Sequence, residues 1–285
     1  MTADQWVVGS TPTENVNSFS SRFLNVLPTL FFKPVIMKVK KQTEQTFKFV
    51  KSIKFGRTDL PTLVFIFGYP FKIKEHFNYD GNFYYIDSHY NKALVYPSPF
   101  LNIKDLSRVI AKELLSKLKT SDVVLVGYSL GAVYSLEISK ILEENNINVK
   151  LQLLIDPIDT IYNFNTKLYN KLRYSFCFTA LFSRYLIFSF LVKLQNIFNF
   201  KIITRSIYIN SVYRIHLLRY NFSYNNINTI LIKNSTNCNK TKYSWIDIFK
   251  KDNIDLKVFN AKKHSDFFFN ESILKKWINI LKLNI

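Results

Sequence analysis

From residue 60 onward, short continuous apolar runs alternate with stretches whose apolar residues recur every three or four positions. The runs are Pro61–Phe67, Ala93–Tyr96, Asp122–Val126, Val149–Ile155, Thr229–Ile232 and Leu256–Phe259. Their length and β-branched content predict buried strands. A further short strand is expected at Phe83–Ile86. Between them, Ile103, Leu106, Val109, Ile110, Leu114 and Leu118 share one helical face behind Asn102, a residue suited to capping. A second helix carries Val133, Leu136, Ile138, Ile141 and Leu142, and a third closes the chain over Ser272–Leu283. Residues 71–91 read as an aromatic, polar loop. Strands alternating with helices predict an α/β fold with a mostly parallel central sheet and helices on both faces.

Two segments depart from this alternation. Residues 1–55 carry no usable motif and are expected to form an N-terminal extension, with the sheet domain spanning 56–285. Lys38–Val50 fits either a helix or a strand. Residues 157–226 are aromatic, helical in spacing and basic, with nine Lys or Arg against Asp159 as the single acid. They are expected to form a helical lid above the carboxyl edge of the sheet, where ligands bind in such folds.

Gly127-Tyr128-Ser129-Leu130-Gly131 joins the strand at 122–126 to the helix that follows. Strand, Gly-x-Ser-x-Gly and helix form the context of a nucleophile elbow, a sharp turn that holds a serine at its tip. A serine hydroxyl needs a base, and the base needs an acid to orient it. Asp156 ends the strand at 149–155, and His264 follows the strand at 256–259. The order Ser129, Asp156, His264 is that of α/β hydrolases. Asp159 is the rival acid, and Asp247 lies further along. His76 and His89 precede the nucleophile, and His216 sits in the basic lid. For the oxyanion, the backbone N–H of Leu130 is one expected donor. The second should come from the turn at Gly68–Phe71, where Pro70 has no N–H. That leaves Tyr69 or Phe71, and Tyr69 is taken here.

These residues resemble the thioesterase domains of nonribosomal peptide and polyketide synthases and their stand-alone relatives. The resemblance spans about residues 60–285. It rests on Gly127–Ala132 with its aliphatic helix, on Asp156 after the strand 151–155, and on the segment Asn260–Phe268. It implies the α/β-hydrolase fold with a helical lid insertion, and release of acyl chains from a phosphopantetheine thioester through an acyl-Ser129. Lid aromatics such as Phe178 and Phe188 would line an acyl channel, and lid cations would suit an acidic carrier protein.

Charge and cysteines add partner and compartment. The chain has 285 residues and a net charge of +19, which points either to an anionic partner or to a compositional bias toward Lys. Cys177 and Cys238 show no metal or disulfide spacing and read as reduced thiols. With no secretory signal and no long apolar span, a cytoplasmic protein without cofactor or metal is expected. A lipase or carboxylesterase of the same fold is the alternative activity, its lid touching a membrane surface. A basic, aromatic protein that binds nucleic acid or membrane without catalysis is the third reading.

Overall fold

The computed structural model describes residues 49–87, 102–158, 226–235 and 254–285, together with Ser183, Ile187, Leu217 and Tyr220. All of them belong to the compact unit Phe47–Ile285. The expected strand Ala93–Tyr96, Asp159 and Asp247, and nearly all of the lid segment and of the extension lie outside the described residues.

Among the described residues, seven strands form one sheet: β1 (Val50–Lys54), β2 (Thr62–Ile66), β3 (Phe83–Ile86), β4 (Asp122–Tyr128), β5 (Asn148–Ile155), β6 (Thr229–Asn234) and β7 (Ile254–Phe259). Their spatial order is β1-β3-β2-β4-β5-β6-β7. Only the β1–β3 pair is antiparallel; the other pairs are parallel. The sheet therefore begins ahead of residue 56, because Val50–Lys54 is its edge strand. Lys51, Ser52 and Lys54 make that strand alternate with polar residues, as an edge permits.

Helices cover both faces. α2 (Ile103–Leu115) and α3 (Leu130–Glu144) share one core with Val64, Ile66, Val123 and Leu125. α1 (Pro70–His76), α4 (Asp266–Phe269) and α5 (Glu271–Leu283) share the other with Leu63, Phe65, Val124 and Val126. Successive strand residues point to opposite cores, so β2 and β6 are buried throughout and carry the apolar runs Leu63–Ile66 and Ile230–Ile232. α1 replaces part of the expected loop at 71–91. Pro70 starts it at a position where the missing N–H costs nothing. α2 starts as expected, with Asn102 Oδ1 accepting from the N–H of Asp105 at 2.8 Å, and stops at Leu115 rather than Lys119. No helix among the described residues is long and apolar enough to cross a membrane.

Strand order places the site. From β2 the chain adds β3 on one side and then returns to lay β4 on the other. In sheets of this kind ligands bind outside the carboxyl ends of the strands where the order reverses, which here are β2 and β4. Gly68 and Ser129 follow those two ends.

Candidate active site

Ser129 sits between β4 and α3 with φ 55° and ψ −119°, a conformation that a residue with a side chain rarely adopts. It occupies the N-cap position, yet its hydroxyl makes no capping bond. Serine is a favoured cap, so here the hydroxyl has been turned away from that use. The turn closes because its flanks are bare. A Cβ on Gly131 would lie 2.1 Å from the carbonyl oxygen of Ile66, and one on Gly127 would lie 2.7 Å from Cα of Ala132. The N–H of Ser129 donates to Ile155 O at 3.0 Å, tying the elbow to the neighbouring strand end.

Asp156 follows β5 and is 2% exposed. A carboxylate so buried needs partners. His264 Nδ1 lies 2.5 Å from its Oδ2, and the N–H of Asn234 donates to Oδ1 at 3.3 Å. With Nδ1–H given to Asp156, a neutral imidazole keeps Nε2 as its acceptor. The structure thus pairs Asp156 with His264, whereas His76 ends α1. His89 and His216 lie outside the described residues.

The loop carrying His264 is fastened at two further points. Asn234 Nδ2 donates to Ala261 O at 2.7 Å, and the N–H of Ala261 donates to Asn234 Oδ1 at 3.3 Å. Tyr128, the residue before Ser129, donates its hydroxyl to His264 O at 3.0 Å. Its ring stacks on the imidazole, with centroids 4.6 Å apart and an interplanar angle of 16°. The histidine is therefore held against the tyrosine that precedes Ser129. Burial, with Asp156, Tyr69 and Asp266 adding to it, pushes the Tyr128 phenol well above the usual tyrosine range, so this hydroxyl stays a donor.

Leu130, one expected oxyanion donor, is the first residue of α3. Its N–H is one of the four that an α-helix leaves without an internal partner. Tyr69 is the N-cap of α1, and its ring packs on Phe268 and Phe269 at 5.4 and 4.9 Å. The turn before it is strained: Phe67 has φ 63° and Gly68 φ 92°. The Tyr85 hydroxyl steadies it by donating to Gly68 O at 3.2 Å. Burial, then Asp87 and Tyr69, raise the Tyr85 phenol above its ordinary range.

Asn234, Tyr128 and Phe67 were not singled out from the sequence. A usable signal existed for Asn234 alone, since it ends the strand after the insertion, where a third strand-end polar group could reach the acid. Among the described residues, no group of three or more His, Cys, Asp or Glu side chains is arranged to hold a metal ion.

This sheet, strand order and elbow define the α/β-hydrolase fold. No family model matches the chain, and no curated protein sequence does. Among solved structures it is similar to the four-domain nonribosomal peptide synthetase AB3403 bound to AMP and glycine. The TM-score is 0.57 at 16% identity over 82% of this chain, which spans 20% of that protein. It is similar to the NocB thioesterase domain in covalent complex with a fluorophosphonate nocardicin G analog, with TM-score 0.53, 12% identity, and 83% and 99% of the two chains covered. It is also similar to YbtT, a type II thioesterase of the yersiniabactin pathway, with TM-score 0.53, 12% identity, and 83% and 98% covered. At these identities the likeness is one of fold.

Proposed function

We propose that this protein is a serine hydrolase that releases acyl groups from carrier-protein or coenzyme A thioesters. The observation that carries the reading is the buried Asp156 paired with His264, whose ring stacks on Tyr128, the residue before the strained Ser129. Ser129 Oγ attacks the thioester carbonyl carbon while Nε2 of His264 takes its proton. Asp156 keeps the imidazole in the needed tautomer and offsets its positive charge. The oxyanion is met by the N–H of Leu130 and that of Tyr69, at the positive end of α3. Collapse of the tetrahedral intermediate breaks the C–S bond, and His264 returns the proton to the leaving thiolate. Water then attacks the acyl-Ser129 ester, giving its proton to His264. Collapse of the second tetrahedral intermediate breaks the bond from carbon to Ser129 Oγ, His264 returns the proton to Oγ, and the free acid leaves.

The thioester assignment is supported by fold neighbours that are thioesterases and by the placement of the acid after β5. The net charge of +19 suits an acidic carrier protein. Purified protein is expected to hydrolyse acyl thioesters and to be labelled at Ser129 by a fluorophosphonate. Ser129→Ala should lower turnover on the order of 10³–10⁶-fold. Unchanged turnover in that variant would remove the serine mechanism. Faster turnover of matched oxygen esters would move the reading to a carboxylesterase.

A further inference from the structure

In a Gly-x-Ser-x-Gly elbow the chemistry constrains the serine and the glycines, while the residue before the serine is open to choice. Here that residue is Tyr128, and its contacts go beyond packing. It is 8% exposed. Its ring lies nearly parallel to the His264 imidazole, and its hydroxyl holds the carbonyl of the same residue, 136 positions away in the chain. From behind, Phe268 meets the Tyr128 ring edge-on at 4.6 Å and 79°. Trp277 and Tyr69 in turn hold Phe268, at 5.8 and 5.4 Å. Gly68 leaves room for the tyrosine: a Cβ there would come within 3.2 Å of its Cδ1.

Two restraints at right angles thus act on one imidazole. Asp156 grips its edge through Nδ1, and Tyr128 covers its face. A hydrogen bond alone leaves a ring free to rotate about the axis of that bond. A stacked neighbour removes that freedom. The face of an aromatic ring also carries negative potential, which attracts a cation placed over it. The imidazole becomes a cation at the moment it takes the serine proton.

We propose that Tyr128 is a positioning residue that fixes the His264 ring by stacking and stabilises its protonated form through the tyrosine face. The catalytic part of this proposal rests on the reading of His264 as the general base. Other groups facing the imidazole or its stacked partner are Asp156 from the end of β5, Tyr69 from the turn after β2, and Asp266 on α4. Lys262 and Lys263 are exposed on the histidine's own loop. The ring contribution must therefore be varied without moving these charges.

Replacing Tyr128 by phenylalanine, and then by phenylalanines bearing increasing numbers of ring fluorines, meets that need. The shape and the stack stay, while the negative face is withdrawn step by step. His264 is titrated by NMR in the Ser129→Ala protein, so no turnover is required. Loss of the attraction makes the charged form less favourable, so the titration midpoint should fall step by step along the fluorine series. Tyr128→Phe alone should leave the midpoint near that of the parent. In the protein with Ser129 intact, the same series should lower kcat several-fold at constant KM. The acid limb of kcat/KM should move to lower pH with the midpoint. A midpoint independent of fluorination, or a change in KM alone, overturns the proposal. If the parent protein cleaves neither thioester nor ester, the hydrolase reading fails. The NMR series still decides whether Tyr128 stabilises the imidazolium.

Discussion

Among the described residues, three of the four with positive φ other than glycine stand at the ends of neighbouring strands. Phe67 follows β2, Ser129 follows β4 and Asp156 follows β5, with φ of 63°, 55° and 39°. Strain of this kind costs on the order of 1–3 kcal/mol per residue and persists where surrounding packing enforces it. Its concentration at the carboxyl ends of three neighbouring strands supports a site there independently of any motif. It also separates two variants that are equally inactive. Ser129→Ala keeps a Cβ and so keeps the strain. Ser129→Gly releases it, against some loss of unfolded-chain order. In urea unfolding, the glycine variant is expected to be more stable than the alanine variant by roughly 1 kcal/mol. The reverse order would mean that the elbow holds residue 129 without strain. The strain at Ser129 was legible in the elbow motif, and that at Phe67 and Asp156 was not. Gly127 and Gly131 announce a tight turn, but a phenylalanine before Gly68 or an aspartate before Pro157 does not announce its own dihedral angles.

The elements differ in how openly the sequence displays them. β2, β4, β5 and β6 are covered on both faces, so their apolar runs stand out. β1 was missed because an edge strand with Lys51 and Lys54 has no such run, and α1 because seven residues span only two turns. His264 was legible as a residue following a strand. Asp156 was legible as its acid from the strand end it follows, but the supports from Asn234 and Tyr128 were not, since they come from distant elements. A fourth support is α5, which begins at Asn270, the residue that also ends α4. Asn270 Oδ1 accepts from the N–H of Ile273 at 3.3 Å. Trp277 is fully buried, and its Nε1–H donates to Phe267 O at 2.7 Å. Trp277→Ala should therefore cost about 3–5 kcal/mol and lower activity as the loop at 260–266 loses its backing. Asn270→Ala should cost about 1 kcal/mol and leave kcat near the parent value. Thermal unfolding and turnover measured on the same two proteins check both statements. Equal loss of activity in the two would mean that the helix start, rather than the tryptophan, seats the loop.

Over the whole molecule, 39 basic residues face 20 acidic ones, and charge of this size acts through solvent rather than through any single contact. A field from many exposed lysines steers anionic partners toward the protein and is screened by salt, with a Debye length of about 10 Å at 0.1 M. Lys262 and Lys263 are exposed beside His264, so part of that field surrounds the candidate site itself. The sequence shows the charge but leaves open whether it serves a partner or reflects composition. Salt dependence separates the two. If an acidic carrier protein is the substrate's bearer, KM for the carrier-bound thioester should rise several-fold between about 50 and 500 mM salt, with kcat unchanged, because encounter is weakened and chemistry is not. A small neutral thioester of the same acyl group should show almost no change in either constant. Replacing Lys262 and Lys263 by glutamine should reduce the salt effect on the carrier-bound substrate and leave the small thioester unaffected. If both substrates respond alike, salt acts on the enzyme or the acyl group, and the positive charge has no role in choosing the partner.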